Sequence, residues 1–250
     1  MAPQKIRLRI FFGKKDYKMK IFSQFRELSR GELALWLFSA GVTAAAYILS
    51  GGGGTMALIS SLTGVTALIF VAKGMVFGQI LTVVFSVLYG VISCWEHYYG
   101  EMITYLGMTA PIAAAAVISW AKHPYRDTKQ VEVARLTWKK LLLLYGAGLP
   151  VTLGFYFMLK ALGNAQLMFS TLSVYTSFTA AGLTFLRSPL YGLGYAANDI
   201  VLIILWWTAS AGDISNAPMV CCFAMFLAND VYGFVNWRRI ERGQLSEVRG

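Results

Sequence analysis

Residues 75–94 read MVFGQILTVVFSVLYGVISC, a run of twenty residues without a charged side chain. Lys73 and Glu96 lie just outside its two ends. A helix of about 20 mostly apolar residues is long enough to cross the roughly 30 Å hydrocarbon core of a bilayer. The stretch therefore predicts a membrane-spanning helix.

Seven further runs of similar length and composition occur along the chain. We predict eight spans, at approximately 33–49, 55–72, 75–94, 102–121, 141–159, 165–186, 191–210 and 218–237. The composition agrees, because 57% of the 250 residues are hydrophobic and only 14% are charged, whereas about a quarter of a soluble domain is charged. The predicted fold class is an all-α polytopic membrane protein.

The net charge of +10 is concentrated between the predicted spans. Of the 22 Lys and Arg residues, all except Lys160 lie in the N-terminal segment 1–30, in every second connection or after the last span. Cytoplasmic loops carry such an excess of basic residues. We therefore predict a basic cytoplasmic segment 1–30, a single transmembrane domain 31–250 and both termini in the cytoplasm. This arrangement does not favour a nucleic-acid-binding protein, which needs a basic face on a soluble body.

The second half of the chain resembles the first in its loops. Trp95 and Gly100-Glu101 are separated by four residues, as are Trp207 and Gly212-Asp213, a shift of 112 positions. Interfacial tryptophans beside acidic loops would produce the same match. A duplication with this shift pairs spans that are four apart, so the repeats are parallel. The predicted order is an extra N-terminal helix (33–49), a three-helix repeat (55–121), a linker helix (141–159) and a second three-helix repeat (165–237). Transporters built this way hold their substrate between the repeats.

Two Asn-Asp pairs lie near the middle of predicted spans, Asn198-Asp199 in the seventh and Asn229-Asp230 in the eighth. A charged side chain at a helix centre costs about 2.5–3.5 kcal/mol on insertion scales, and the predicted spans contain no Lys or Arg to pair with. A cationic ligand or a proton is therefore the expected partner. Asp199 and Asp230 form a candidate cation or proton site, with interhelical packing as the alternative.

Other polar and aromatic side chains share helix faces with these pairs. In the eighth span, Asn229, Tyr232 and Asn236 are spaced i, i+3 and i+7 and lie on one face. Amide and phenol groups bind sugar hydroxyls, and aromatic rings attract cations. The pattern predicts a pocket for a small polar ligand with a ring or a positive charge, although Ser and Thr also act as interhelical contacts and tryptophan as an interfacial anchor. The candidate substrate-binding residues are Gln79, Ser86, Tyr89, Thr176, Asn198, Asp199, Asn229, Tyr232, Asn236 and Trp237.

Motifs for other chemistry are missing from the sequence. It contains no Gly-x-x-x-x-Gly-Lys-[Ser/Thr] phosphate loop and no Gly-x-Ser-x-Gly or His-Glu-x-x-His motif. Its two histidines, His97 and His123, both fall in predicted loops, so a multi-histidine metal site is excluded. We predict neither an enzyme nor a cofactor or metal.

Residues 226–239, FLANDVYGFVNWRR, resemble the signature of the bacterial PnuC nicotinamide riboside transporters, with Asn229-x-x-Tyr232-x-x-x-x-Trp237 inside them. The resemblance extends over spans two to eight. The family is similar in architecture to the SWEET sugar transporters, and its members are homotrimers. Family members also carry a Trp-x-x-Trp pair leading into the seventh span, where this chain has Tyr191-Gly-Leu-Gly-Tyr195. The resemblance therefore does not assign the aromatic rings that stack on the substrate.

The resemblance implies facilitated diffusion of nicotinamide riboside across the inner membrane of a bacterium, with trapping by an intracellular kinase. It further implies that Asn229 and Tyr232 bind the substrate and that Trp237 binds or gates. Three alternatives stay open: a carrier of thiamine or riboflavin, proton-coupled transport through Asp199 or Asp230, and a membrane scaffold or receptor without transport.

Overall fold

The computed structural model of the chain describes residues 24–49, 55–95, 99–164, 166–209 and 217–249. These residues form helices joined by turns, with two isolated β-bridges. We name the helices α1 to α8 in chain order. Their bounds are Arg30–Leu49 (α1), Thr55–Ala72 (α2), Val76–Trp95 (α3), Tyr99–Lys122 (α4), Trp138–Ala161 (α5), Leu167–Phe185 (α6), Tyr191–Ala209 (α7) and Ala217–Arg249 (α8).

Within the described ranges, five helical stretches are long and apolar enough to cross a membrane. They are Arg30–Leu49, Val76–Trp95, Gly100–Lys122, Trp138–Ala161 and Val220–Glu247. α2 contributes a shorter apolar helix, Leu58–Ala72. The prediction of an all-helical, multi-pass membrane protein is confirmed.

The helices form two groups of three that close into a ring. α3 packs against α2 and α4, and α7 packs against α6 and α8. The two groups meet where α2 packs against α8 and α4 packs against α6. α5 packs against α6 outside this ring, and α1 packs against both α2 and α8. The ring encloses a space between the two groups.

α4 contains a π-turn, Tyr105–Thr109, between its α-helical parts Tyr99–Thr104 and Ala110–Lys122. Pro111 lies two residues after the π-turn ends and has no N–H to donate to the preceding turn. The hydroxyl of Thr109 donates to the carbonyl oxygen of Thr104 at 3.3 Å, five residues back. A helix can widen by one residue where a proline interrupts its hydrogen bonds, and such π-turns occur often at functional sites.

One end of the ring is closed by a buried aromatic cluster. Trp120, Tyr191 and Trp237 are at most 1% exposed and pack with ring centroids 4.9–5.2 Å apart. Each indole also donates a hydrogen bond to a backbone carbonyl, Trp120 to Thr184 at 2.9 Å and Trp237 to Val71 at 2.9 Å. These bonds join α4 to α6 and α8 to α2, so the cluster of Trp120, Tyr191 and Trp237, which we call the aromatic seal, closes the space at this end.

The connection between α4 and α5, residues 123–137, runs across the same end, and we call it the strap. The amide of Val131 donates to the carbonyl of Gly74 in the α2–α3 turn at 2.9 Å, and the amide of Ala134 donates to the carbonyl of Arg187 in the α6–α7 turn at 2.9 Å. Gln244, in the last part of α8, bonds the backbone of the strap through both ends of its amide group. The strap thus contacts both three-helix groups.

Candidate functional site

A cavity of about 400 Å³ lies between the two three-helix groups. This volume falls within the range of small-molecule binding sites. Residues of α2, α3, α4, α6, α7 and α8 line it, with Leu159, Leu162 and Asn164 from the end of α5 and the turn that follows. At the other end it reaches Tyr191 of the aromatic seal and Val71, whose carbonyl accepts the hydrogen bond from Trp237. The cavity is therefore built by both halves of the chain.

Asn198 of α7 is held on the cavity wall by α6. The hydroxyls of Ser173, Thr176 and Ser177 lie 3.1, 2.8 and 3.0 Å from its side-chain oxygen. An amide oxygen has two lone pairs, so these hydroxyls use its accepting capacity. The NH₂ group of Asn198 is the part left to bind a ligand, and it can donate to a hydroxyl or carbonyl oxygen.

Two carboxyl groups meet at the cavity between α7 and α8. Asp199 and Asp230 are each 3% exposed, and their side chains lie close enough to interact with one another. A hydrogen bond between two carboxyl groups requires a proton on one of them. One oxygen of Asp199 is buried without a hydrogen-bond partner. The pair can therefore take a proton or a further donor.

A third carboxyl group, that of Glu101 in α4, also lines the cavity. Among the described residues that line it there is no Lys, Arg or His. The three carboxyl groups therefore face no fixed cation in the wall. This electrostatic environment favours a cationic ligand and disfavours an anionic one.

Aromatic side chains form much of the remaining wall. Phe85 makes edge contacts with Tyr105 at 5.8 Å and with Phe226 at 6.2 Å between ring centroids. Tyr195 and Trp206 of α7 also line the cavity. Aromatic faces stack on planar rings and attract cations. The wall thus fits a flat or positively charged group.

The structure brings four of the predicted site residues to this cavity: Gln79, Asn198, Asp199 and Asp230. Thr176 contributes indirectly, through its bond to Asn198. Ser86 is fully buried and donates to the carbonyl of Thr82 within α3. Tyr89 packs against Tyr105 at 4.5 Å between centroids. Neither Ser86 nor Tyr89 is part of the lining.

The other four predicted residues lie on faces of α8 that contact α1 and α2. Asn229 donates to Ser39, and Tyr232 donates to Glu32, each at 2.9 Å. Asn236 donates to the carbonyl of Ala72 at 2.9 Å, and Trp237 belongs to the aromatic seal. None of the four lines the cavity.

Helical periodicity explains this division. Phe223, Phe226 and Asp230 follow one another at intervals of three and four and share the cavity face of α8. Asn229 lies about 100° away around the helix axis from Asp230. Asn229 therefore contacts α1, whereas Asp230 lines the cavity. Direct contact of Asn229 with a ligand stays a prediction.

Sequence reasoning missed the contribution of α4. It placed the fourth span at 102–121, whereas α4 begins at Tyr99, so Glu101 was treated as part of a loop. Glu101, Thr104, Tyr105 and Thr109 all line the cavity. Thr104 and Tyr105 follow Glu101 by three and four residues, and Thr109 follows Tyr105 by four, so these side chains mark one helix face. This polar stripe was the signal available in the sequence.

Several predicted features lie outside the described residues, namely residues 1–23, His97 and the Gly212-Asp213 half of the repeat match. Within the described residues, no group of three or more His, Cys, Asp or Glu side chains is placed to hold a metal. Cys94, Cys221 and Cys222 are free thiols.

Comparison with known proteins gives consistent results. Residues 54–239 match the profile of the family described as Nicotinamide mononucleotide transporter. The chain is similar to the nicotinamide riboside transporter PnuC of Neisseria mucosa, with 27% identity over 242 residues that cover 92% of this chain and 91% of that protein. It is also similar to PnuC of Haemophilus influenzae, with 25% identity over 190 residues that cover 74% of this chain and 80% of that protein.

A solved structure is similar as well. The crystal structure of the vitamin B3 transporter PnuC superposes with a TM-score of 0.74 and 25% sequence identity. The match covers 87% of this chain and 94% of that one. The resemblance noted in residues 226–239 therefore extends through the fold.

Proposed function

Because the chain belongs to the nicotinamide mononucleotide transporter family, and within it to the PnuC nicotinamide riboside transporters, we propose that it imports nicotinamide riboside by facilitated diffusion across a bacterial inner membrane. A kinase inside the cell then traps the substrate by phosphorylation. Import through this chain alone needs no cofactor and no catalytic step.

One observation carries the choice of substrate: the cavity combines three carboxyl groups and several aromatic rings with no basic side chain among its described lining residues. Nicotinamide riboside is a cationic aromatic ring on a sugar, so the carboxyl groups and rings match it. The mononucleotide adds a phosphate, which would face Glu101, Asp199 and Asp230 without a compensating cation. Burying such an anion is costly. The cavity therefore supports the riboside over its phosphate.

The residues divide into three proposed roles. Gln79, Asn198, Asp199 and Asp230 contact the substrate directly, with the Asn198 NH₂ donating to a substrate oxygen. Trp237 acts with Trp120 and Tyr191 in closing the path at the strap end. Asn229 and Tyr232 stay within the proposed site, and their bonds to α1 favour an effect exerted through the orientation of α8.

Uptake of labelled nicotinamide riboside into liposomes that contain only the purified protein tests the proposal. We expect the label to equilibrate without a proton gradient and labelled mononucleotide to stay outside. Asp230→Asn should reduce uptake of the riboside, whereas Thr208→Val, on α7 with a hydroxyl bonded only within its own helix, should leave it unchanged. If folded protein admits neither compound, the proposed function is wrong.

Proton-coupled import is a second candidate, supported by the two buried and neighbouring carboxyl groups of Asp199 and Asp230. It predicts accumulation above equilibrium in liposomes with an imposed proton gradient and loss of that accumulation when an uncoupler is added. Facilitated diffusion predicts the same final level in both conditions. The liposome experiment therefore separates the two candidates.

Thiamine and riboflavin are the alternative substrates within the same class of protein. A ligand present at 100 times its dissociation constant stabilises its target by about 2.7 kcal/mol. We expect nicotinamide riboside, and neither of the other two vitamins, to raise the melting temperature of the purified protein. A shift with thiamine alone would reassign the substrate, and no shift with any of the three would favour a scaffold or receptor.

For the architecture we propose eight membrane-spanning helices arranged as α1, a repeat α2–α4, the linker α5 and a parallel repeat α6–α8, in the manner of SWEET transporters. The closed ring of α2–α4 and α6–α8 supports this order. We further propose that both termini and the strap are cytoplasmic and that the protein is a homotrimer. Light scattering of the detergent-solubilised protein measures the mass, and labelling of cysteines introduced into the strap from either side of the membrane tests the orientation.

A further inference from the structure

The extra helix α1, which contributes nothing to the cavity lining, holds α8 at two polar points. Ser39 accepts a hydrogen bond from Asn229, and one carboxylate oxygen of Glu32 accepts a hydrogen bond from Tyr232, both at 2.9 Å. Ser39 is fully buried and Glu32 is 4% exposed. The two contacts are seven residues apart on α1 and three apart on α8, so they restrain one face of α8 over about one turn.

Glu32 is itself fixed in place by three further groups. Its other oxygen accepts hydrogen bonds from the Ser29 amide at 2.6 Å and from the Lys73 ammonium group at 2.8 Å. Ser29 and Glu32 form a capping box, since the Ser29 hydroxyl also accepts from the Glu32 amide at 3.3 Å. Tyr232 is therefore held against a rigid point that joins the start of α1 to the α2–α3 turn.

These contacts determine which side of α8 is turned toward the cavity. Asn229 and Asp230 are adjacent in sequence, and their side chains leave a rigid helix about 100° apart. When Asn229 and Tyr232 are held by α1, Asp230 and Phe226 necessarily face the cavity. A rotation of α8 would move both of them along the wall.

We propose that Ser39 and Glu32 are positioning residues for substrate binding: they set the rotation of α8 that directs Asp230 and Phe226 into the cavity. The proposal rests on the proposed function, because it concerns the same cavity. It assigns a role to α1, which lies outside the ring of α2–α4 and α6–α8. The proposed role differs from simple packing, because Asn229, which α1 holds, is adjacent in sequence to Asp230, which lines the cavity.

Uptake kinetics in liposomes test the proposal. Ser39→Ala removes one hydroxyl at a helix position where alanine is well tolerated. We expect it to raise the KM for nicotinamide riboside about three- to tenfold, the factor expected for one hydrogen bond, without changing the melting temperature enough to unfold the protein. The double variant Ser39→Ala/Asn229→Ala should match Asn229→Ala alone, because both substitutions break the same contact.

A matched control comes from Thr43, one turn further along α1. It is also buried, but its hydroxyl bonds only the carbonyl of Ser39 within its own helix. Thr43→Val should leave KM unchanged. Additive effects of Ser39→Ala and Asn229→Ala, or an unchanged KM with a lower maximal rate or melting temperature, would overturn the proposal.

A second measurement does not depend on transport. In a background in which Cys94, Cys221 and Cys222 are replaced by Ala, the substitution Phe226→Cys places a thiol on the cavity wall. Adding Ser39→Ala should change the rate at which a cationic methanethiosulfonate reagent modifies this thiol at least about threefold, and an unchanged rate would contradict the positioning role. Absence of riboside uptake by the wild type would instead refute the proposed function, while the labelling rates would still decide the role of Ser39.

Discussion

At the residue scale, Asn198 concentrates the polar contacts of the cavity wall. Replacing it with Ala removes its NH₂ donor and leaves the hydroxyls of Ser173, Thr176 and Ser177 without their shared acceptor. A buried polar group without its partner costs about 1–3 kcal/mol. We expect Asn198→Ala to reduce riboside uptake at least tenfold, measured as initial rate in liposomes.

The conservative change Asn198→Asp sharpens this test. It keeps an acceptor for the three hydroxyls but has no NH₂ to donate. If donation to the substrate is what matters, Asn198→Asp should fold with a melting temperature closer to that of the wild type than Asn198→Ala and still import poorly. Normal uptake by Asn198→Asp would show that Asn198 only connects α6 and α7.

Trp237 is the second residue whose effect follows from its surroundings. It is fully buried, donates to the carbonyl of Val71 and packs on Trp120 and Tyr191. Trp237→Phe keeps an aromatic ring but removes the indole N–H and leaves a void. We expect a leakier seal, seen as faster efflux of preloaded riboside, and a stability loss of about 1–3 kcal/mol. Exposed Trp138→Phe on α5 is the matched control.

At the element scale, Pro111 and the π-turn before it determine which side chains of α4 reach the cavity. With Pro111→Ala the missing amide becomes available, and an unbroken α-helix can form through residues 105–109. Converting the π-turn into regular α-helix changes the hydrogen-bond register by one residue. This change would rotate Glu101, Thr104 and Tyr105 by about 100° relative to the rest of α4. We expect Pro111→Ala to raise the KM for the riboside while leaving the protein folded.

Pro150 in the middle of α5 gives the comparison for that experiment. It also interrupts a helix, but α5 contributes to the cavity only near its end. Pro150→Ala should therefore leave KM unchanged. Equal effects of the two proline substitutions would mean that the π-turn does not set the site.

The elements also show how far sequence reasoning reaches. The predicted spans 191–210 and 141–159 overlap α7 and α5 almost completely, because long uncharged runs have few alternatives to a helix in a bilayer. The last helix differs: α8 continues to Arg249, twelve residues beyond the predicted end at 237. The basic residues after Trp237 indicate where the chain leaves the membrane, but they do not end a helix, and Arg238 and Glu241 even pair across one turn.

The cavity was predicted less completely than the helices. The sequence identified Gln79, Asn198, Asp199 and Asp230, since polar groups at membrane depth are rare. It could not assign the faces of α8, because Asn229 and Asp230 are adjacent and periodicity alone does not say which neighbour each one meets. The partners Ser39 and Glu32 lie 190 and 200 residues from the residues they bind, a distance that no local pattern encodes.

At the scale of the whole molecule, the strap connects parts that are far apart in the chain. Gln244 binds the strap twice, donating to the carbonyl of Val131 at 3.1 Å and accepting from the amide of Val133 at 2.9 Å. Gln244→Ala leaves both backbone groups without these partners. We expect a loss of about 1–3 kcal/mol and a lower melting temperature, together with faster proteolysis within residues 123–137.

Ser246→Ala is the control for this prediction. Ser246 lies on the same part of α8, but its hydroxyl bonds only the carbonyl of Gly243. Its replacement should change neither the melting temperature nor the cleavage rate. Unaltered proteolysis of Gln244→Ala would show that the strap is held by its contacts to the α2–α3 and α6–α7 turns alone.

The position of the strap's last partner also has a consequence for biosynthesis. Gln244 and Glu247 follow their partners in the strap by 111 to 122 residues in the sequence, so they are synthesised well after it. Glu247 accepts a hydrogen bond from Tyr125 and pairs with Arg126, so these contacts form only after α5, α6, α7 and nearly all of α8 have been synthesised. A nascent chain therefore keeps this end unfastened while its earlier helices form, and the strap is fastened to α8 only once that helix has been made.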